Sequence, residues 1–477
     1  MKYELVMGLE VHVELATESK LFCSCSAKFG AEANEHVCPA CCGMPGLPAV
    51  LNKRAVEFGI TAGLVTNCEI SRRTTFDKKN YFHPDLPTGY QITQLFSPVC
   101  TKGRVDIETA AGKKSIRIKQ IHIEEDAGKL VHDPWSGTSL VDYNRASVPL
   151  VEIVSMPDFR SADEVIAYIE KLRALLTFAG ISDCRMQEGS MRVDVNISVR
   201  ETGAETLGTR TEIKNMNSLR AIARAIEYEA QRHIDALETG FEELVQETRR
   251  WDDGRGESFS MREKENATDY RYFPNPDVMA VDIGDDWIER VRASLPELAH
   301  EKFERYTAKL GLSEYESRIL TSSKRLSDIF DEILRHCDRP KEASGWLIVE
   351  LMNVIKPDGK TIDDVFIDGA KIARLIELIE EKIINRSQAK KVFFEIYSND
   401  TDPDAYVKEH GLAMVSDDGA IRAAAEKAIL ENPKSVAEYK GGNEKIIGFL
   451  FGKVMRETGG KADPSMVSVI LSELLSK

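Results

Sequence analysis

The chain reads as an α+β body followed by an all-helical C-terminal region, and three observations predict this. Four short stretches alternate apolar and ionisable residues with period two: Leu9-Glu10-Val11-His12-Val13-Glu14, Ile121-His122-Ile123-Glu124, Arg192-Val193-Asp194-Val195-Asn196-Ile197 and Glu212-Ile213-Lys214. That alternation belongs to a β-strand with one face on a core and the other open. Two well-signalled helices interrupt the strands in an order that suits α+β rather than a doubly wound parallel sheet. From about residue 295 the strand signal disappears.

The first of those helices opens with the capping box Ser161-Ala162-Asp163-Glu164 and ends near Gly180. The second begins at Asn217-Ser218, carries Leu219, Ile222, Ile226 and Leu237, and closes before Gly240. Beyond them Pro296-Glu297 starts a helical stretch that breaks at Gly311 and Leu312-Ser313 and runs towards Cys337. Residues 370–385 have the spacing of an amphipathic helix, with Ile372, Leu375, Ile376 and Ile379 on one side. Asp463-Pro464 supplies a cap followed by proline at the first helical position, and Val467, Ile470, Leu471 and Leu474 continue that last helix. The expected division is 1–294, 295–400 and 401–477, with no internal repeat.

At 477 residues the chain is too long for one core. No run of ~18 apolar residues predicts a transmembrane helix, and the N-terminus lacks a signal peptide's apolar stretch. A cytoplasmic protein is expected, and its nine cysteines then read as thiols or thiolate ligands rather than a disulfide framework. A net charge of −15 disfavours gripping nucleic acid over the whole surface. It leaves room for a local basic patch, and residues 434–461 hold a small positive excess that includes Lys440, Lys445 and Lys461.

Cys23-Ser24-Cys25 and Cys38-Pro39-Ala40-Cys41 offer four thiols in two short pairs. Zinc prefers tetrahedral thiolate coordination, and Cys-x₂-Cys turns present two sulfurs to one ion. Cys42 and His36 are alternative ligands. A four-sulfur site is closed, so this zinc would staple a loop and perform no chemistry. Cys68, Cys100, Cys184 and Cys337 are scattered and read as small buried hydrophobes.

An open sheet face normally carries residues that simply hydrate. Here it carries Glu10, His12, Glu14, Arg192, Asp194, Asn196, Glu212 and Lys214, side chains that bind metal ions and phosphates. One such strand alone is a solvated face; four in the first half point to a magnesium–nucleotide floor, since magnesium takes hard oxygen ligands plus substrate phosphates. His12 suits an outer partner or proton carrier. Glu124-Glu125-Asp126 add three consecutive acids whose mutual repulsion a divalent cation would relieve. The alternation changes phase between Lys119 and Ile121, which predicts a bulge and leaves open whether Glu124 or Glu125 faces the site. Arg192 and Lys214 suit oxygens that develop charge during phosphoryl transfer. No Walker A loop, kinase motif, dinucleotide-binding Gly-x-Gly-x-x-Gly or Ser–His–Asp arrangement is present.

Read together, these segments resemble the B subunit of the tRNA-dependent amidotransferases, the GatB/GatE family. The matching runs include Gly8-Leu9-Glu10-Val11-His12-Val13-Glu14-Leu15, Lys79-Asn80-Tyr81-Phe82-His83-Pro84-Asp85, Gly89-Tyr90-Gln91-Ile92, and the run from His122 through Glu124-Glu125-Asp126 to Lys129. Pro149-Leu150-Val151-Glu152-Ile153-Val154, Asp269-Tyr270-Arg271-Tyr272-Phe273-Pro274 and, in the tail, Gly460-Lys461-Ala462-Asp463-Pro464 follow in the same order. The chain departs from the pattern at Ser147, where Gly is more usual, and at Met156.

The resemblance implies a glutamine-synthetase-like catalytic cradle, a helical linker and a YqeY-like tail that contacts tRNA. It also implies conversion of misacylated Glu-tRNA(Gln), Asp-tRNA(Asn) or both to the amide forms. ATP phosphorylates the side-chain carboxylate and ammonia displaces the phosphate. On this reading Glu10, His12, Glu124 and Glu125 hold magnesium, with Glu10, His12, Glu125 and Lys79 in the chemistry. Asp194, Glu212, Lys214 and Arg192 serve the nucleotide, and Asn80, Tyr81 and Tyr90 the substrate. The chain has no glutaminase signature, so an amidase A subunit and a small C subunit are the implied partners in a heterotrimer. The competing expectation is a non-catalytic tRNA-binding scaffold, which should avoid clustered carboxylates near a polyanion.

Overall fold

The four alternating stretches all enter one nine-stranded mixed sheet of the computed structural model, which describes residues 2–133, 135–263, 270–357, 359–414, 418–441, 443 and 446–476. In chain order its strands are β1 (Tyr3–Glu14), β2 (Glu69–Ile70), β3 (Cys100–Thr109), β4 (Gly112–Glu125), β5 (Pro149–Ser155), β6 (Met191–Glu201), β7 (Thr211–Lys214), β8 (Glu247–Asp252) and β9 (Glu257–Glu263). Across the sheet they run β9-β8-β7-β6-β1-β5-β4-β3-β2, antiparallel except for the parallel β7–β8 pair. The predicted change of phase is present: opposite β4, Val154 pairs with Gln120 and the next residue, Ser155, with Ile118, so β4 carries an extra residue at Lys119.

The apolar half of the alternation builds the core. Leu9, Val11, Val13, Ile121, Ile123, Val151, Ile153, Val193, Val195 and Ile197 are buried with residues of three helices, α1 (Lys53–Val65), α2 (Ala162–Phe178) and α3 (Leu219–Thr239). A Cβ on Gly59 would stand 2.8 Å from Ile123 Cδ1, so α1 lies against the sheet at a distance only glycine permits. Period two then leaves the other half of the residues on the far face, which these helices do not occupy.

Helix ends follow local chemistry. Ser161 Oγ accepts from Glu164 N–H at 3.3 Å, but the second half of the predicted capping box is absent. The Glu164 carboxylate turns outward to Arg160 N–H (2.7 Å) and Lys114 Nζ (2.8 Å). Ser218 Oγ caps α3 and Gly240 closes it at φ 64°, as the sequence indicates. A three-stranded sheet of Asp77–Asn80, Tyr90–Thr93 and Phe273–Pro274 packs beside the end of β4.

Two compact units are present, Met1–Leu298 and Ala299–Lys477. The Asp285–Ala293 helix buries Ile288 and Val291 in the first core and so belongs to the first unit. The second unit is helical throughout its described residues and contains two separate apolar clusters. One runs from Tyr306 to Val407, the other from Ile421 to Leu475. Because Val407 of the Pro403–Glu409 helix joins the earlier cluster, the break in packing falls beyond residue 407 rather than at 400. The 370–385 helix ends early, at Glu380, and the Asp463-Pro464 helix runs from Pro464 to Ser476 as read. Among the described residues no helix is long and apolar enough to cross a membrane.

Candidate active site

On the helix-free face, five adjacent strands present their polar residues side by side. β4 supplies His122 and Glu124, β5 Glu152, β1 Glu10 and His12, β6 Arg192, Asp194 and Asn196, and β7 Glu212 and Lys214. Register aligns them: His12 lies between Glu152 and Arg192, Glu10 opposite Asp194, and Asn196 opposite Glu212. They form the floor of a cavity of about 780 Å³ whose wall includes Lys79, Tyr81, Tyr270, Tyr272, Thr93 and Asp126.

The acids fall into two groups, each with its ligand atoms within 4.8 Å of one another: His12, Glu124 and Glu152, and Glu10, Asp194 and Glu212. This corrects the expectation of a single set made of Glu10, His12, Glu124 and Glu125. Glu10 and His12 are two steps apart on one strand, ~7 Å along it, so each joins the acids of the strand it faces.

The correction extends to Glu125. Side chains alternate along β4, so Glu124 points to the floor and Glu125 away from it. Glu125 accepts the Ile92 N–H at 2.9 Å and lines a second cavity, of about 550 Å³, beside Cys23 and Cys41. Burial pushes its carboxyl up to about 7. Tyr90 lines that second cavity too, and Asn80 donates to the Arg271 carbonyl at 2.9 Å, whereas Lys79 and Tyr81 line the main cavity.

Sequence reasoning does not single out Glu152 as a site residue, although Leu150-Val151-Glu152-Ile153-Val154 carries the same period-two signal. Tyr270 and Tyr272 carry no such signal, because they lie outside the period-two stretches; Asp269 lies outside the described residues.

Each floor residue is oriented by neighbours. Thr93 Oγ1 donates to Glu124 (2.9 Å), Asn196 Nδ2 to Glu10 (3.0 Å) and Thr248 Oγ1 to Glu212 (2.8 Å). Lys214 Nζ donates to Asp194 (2.6 Å) and lies 3.2 Å from Glu212. The Arg192 guanidinium holds Asp126 at 2.6 and 3.2 Å, bracing the wall while lining the cavity. Burial and the neighbouring Glu152 charge raise the Glu124 carboxyl. Burial opposes charge on Glu152 too, but the hydrogen bond with His122 and the charges of His12, His122 and Lys79 outweigh it and hold that carboxyl far below the usual range. Lys79 Nζ sits 4.9 Å from the Tyr270 ring centroid and 5.5 Å from that of Tyr81, so the aromatic wall aims a cation at the floor.

The four predicted cysteine ligands converge, with their sulfurs within 4.8 Å of one another. A zinc tetrahedron with ~2.3 Å bonds separates sulfurs by ~3.8 Å, and Cys38 Sγ lies 3.8 Å from Cys41 Sγ. Fully buried Lys20 donates to Cys41 Sγ (3.6 Å) and to the Tyr143 carbonyl (3.1 Å). The hydrogen bond from Cys23 is the largest influence lowering the Cys41 thiol, to about 4, and Lys20 adds to it. This donor set fits a structural metal. Ser147, where the sequence departs from its resemblance, adopts φ 65°, the backbone region that favours glycine.

In the tail, Lys461 is half-buried, while Lys445 and the Lys440 side chain lie outside the described residues.

The GatB/GatE catalytic-domain family model matches residues 5–289, and the GatB domain model matches residues 328–475. The chain belongs to the GatB/GatE family. It is 54% identical over 475 residues to the B subunit of the aspartyl/glutamyl-tRNA(Asn/Gln) amidotransferase of Lachnoclostridium phytofermentans, covering 100% of this chain and 99% of that protein. The proteins of the same name from Lachnospira eligens and Caldicellulosiruptor bescii are each 52% identical over 480 residues, covering 99% or more of both chains. Membership makes this chain a component of a ligase-type amidotransferase, with the floor lying inside the family's catalytic domain.

Proposed function

We propose that this chain carries out ATP-dependent transamidation of Glu-tRNA(Gln), Asp-tRNA(Asn) or both. The γ-phosphoryl group of ATP passes to the aminoacyl side-chain carboxylate, giving an acyl phosphate and ADP. Ammonia then attacks the acyl carbon, phosphate leaves, and a proton lost from nitrogen completes the amide. The observation that carries this reading is the pairing of two acid groups side by side on one open sheet face, under a wall that supplies Lys79. His12, Glu124 and Glu152 would hold one magnesium ion, and Glu10, Asp194 and Glu212 another; magnesium supplies charge neutralisation of the phosphates. Thr93, Asn196 and Thr248 orient those acids, and Lys79 faces the oxygens that gain charge.

The cysteine cluster would hold zinc as a closed staple at the loop beside Glu125. Ammonia comes from a partner amidase A subunit, with a small C subunit completing a heterotrimer, as the relatives' being named as subunits supports. The tail, with Lys461, Lys440 and Lys445, engages the tRNA by shape and phosphates, and the reaction belongs in the cytoplasm with its aminoacyl-tRNA substrates. A scaffold role without chemistry fits less well: a polyanion-binding surface gains nothing from concentrated carboxylates.

The test is Glu152→Gln in the assembled enzyme, given each misacylated tRNA, ATP and glutamine. Amide formation should be abolished with tRNA affinity unchanged. Persistent amide formation, or an equal loss of tRNA binding, would overturn the assignment.

A further inference from the structure

The two acid groups differ in a way that their composition does not reveal. An octahedral ion with ~2.1 Å ligand bonds places neighbouring donor atoms ~3.0 Å apart and opposite ones ~4.2 Å apart. In the first group His12 Nε2 stands 3.8 Å from Glu124 Oε1 and 4.0 Å from Glu152 Oε2, too far for hydrogen bonds and within the span of a shared ion. In the second group a side-chain ammonium already occupies the place of the cation. Lys214 Nζ is 2.6 Å from Asp194 Oδ2 and 3.2 Å from Glu212 Oε1, so the two inward oxygens are engaged.

We infer that Lys214 is a built-in cation that keeps the second metal position closed until the nucleotide arrives, when it moves from Asp194 and Glu212 onto a phosphate oxygen and vacates the position. The inference rests on the magnesium reading above. Three features of the fold serve such a move. Lys214 is the last residue of β7, and the backbone turns immediately at Asn215, which has φ 71°. Its side chain is 36% exposed, and it lines the main cavity, into which a flexible four-carbon stem can swing. Of the carboxylates it would leave, Glu212 keeps the Thr248 hydroxyl as a donor, and the adjoining Glu10 is held in place by Asn196. A second divalent ion and the ammonium compete for the same oxygens, so without nucleotide only the first group should bind an ion tightly. Phosphate oxygens supply the alternative partner that releases Lys214. Metal loading and nucleotide binding are thereby coupled, and Lys214 acts as a positioning residue.

The experiment counts Mn²⁺ bound to the full-length chain by electron paramagnetic resonance without nucleotide. Wild type should bind one ion tightly, lost in Glu124→Gln. Lys214→Met should bind two, the second about 100-fold more tightly than wild type takes it, and Lys214→Met/Asp194→Asn should return to one. In the assembled enzyme Lys214→Met should raise the KM for ATP more than it changes Mn²⁺ affinity at the first group. Lys214→Gln serves if the methionine variant does not fold. A count of one in both neutral variants, or a second ion that survives Asp194→Asn, overturns the role of Lys214 alone. No tight ion in wild type, with Glu124→Gln indistinguishable from it, overturns the functional reading beneath it.

Discussion

Glu124→Gln and Glu125→Gln are neighbouring, isosteric replacements, and the structure assigns them opposite consequences. Glu124 reaches the floor 3.8 Å from His12 Nε2, whereas Glu125 points to a different cavity and accepts the Ile92 amide. Altering an outer partner of a metal ligand already costs ~10–100-fold in metal affinity. If Glu124 holds magnesium with Glu152 and His12 as proposed, neutralising it should therefore cost about 100-fold or more, about 3 kcal/mol. Glutamine at 125 keeps an acceptor for Ile92 N–H and removes no ligand, so its magnesium dependence should stay within about threefold of wild type. The assay is the magnesium activation constant for ATP-dependent amide formation in the assembled enzyme, with Mn²⁺ affinity as a second readout. Equal losses in both variants, or a larger loss for Glu125→Gln, would refute the assignment of faces along β4.

Three other outcomes follow from the same geometry. Arg249 bridges fully buried Glu229 (3.0 Å), Glu247 (2.8 Å) and the Ser258 carbonyl (2.8 Å). Glu229 keeps its pair with Arg232 (2.9 Å), so Arg249→Met should destabilise the first unit by about 2 kcal/mol in urea unfolding followed by tryptophan fluorescence, and a change under about 0.5 kcal/mol would contradict a stabilising role for Arg249. Burial and the Arg232 charge push His233 down to about 4. Its native form thus binds fewer protons than the unfolded chain, and stability present above pH ~6.5 should fall as pH drops towards 4, by up to about 3 kcal/mol. His233→Asn should flatten that part of the stability–pH curve, and an unchanged slope would reject the cause. Elemental mass spectrometry should count one zinc per wild-type chain and none in Cys38→Ser, whose melting temperature should fall, and equal metal content in the two would exclude the four-cysteine set.

Much of this was legible in the chain because its signals are local. Period-two alternation identified the strands of residues 9–14, 121–124, 192–197 and 212–214 and the face on which their polar residues stand, since alternation is a property of the strand backbone itself. The bulge near Lys119 was visible as a break in phase. The four cysteines were visible as two close pairs. Glu152 needed only the same pattern applied once more, to residues 150–154. The capping of the 162–178 helix was half right, because whether Glu164 turns back to Ser161 depends on Lys114, fifty positions away.

What the sequence alone determined was thus an inventory: which strands and helices form, which residues face away from the core, and which chemistry those residue types can support. Only tertiary structure decided the grouping. Strand order places β5 between β1 and β4, and the antiparallel register then sets Glu152 beside His12 and Glu10 beside Asp194. It also decided that Glu125 lines the cavity beside the cysteine loop and that Lys214 meets Asp194 of the neighbouring strand. The physical reason is that a carboxylate's role depends on the charges within a few ångströms of it, and those neighbours come from strands up to 202 residues apart, as Glu10 and Glu212 are.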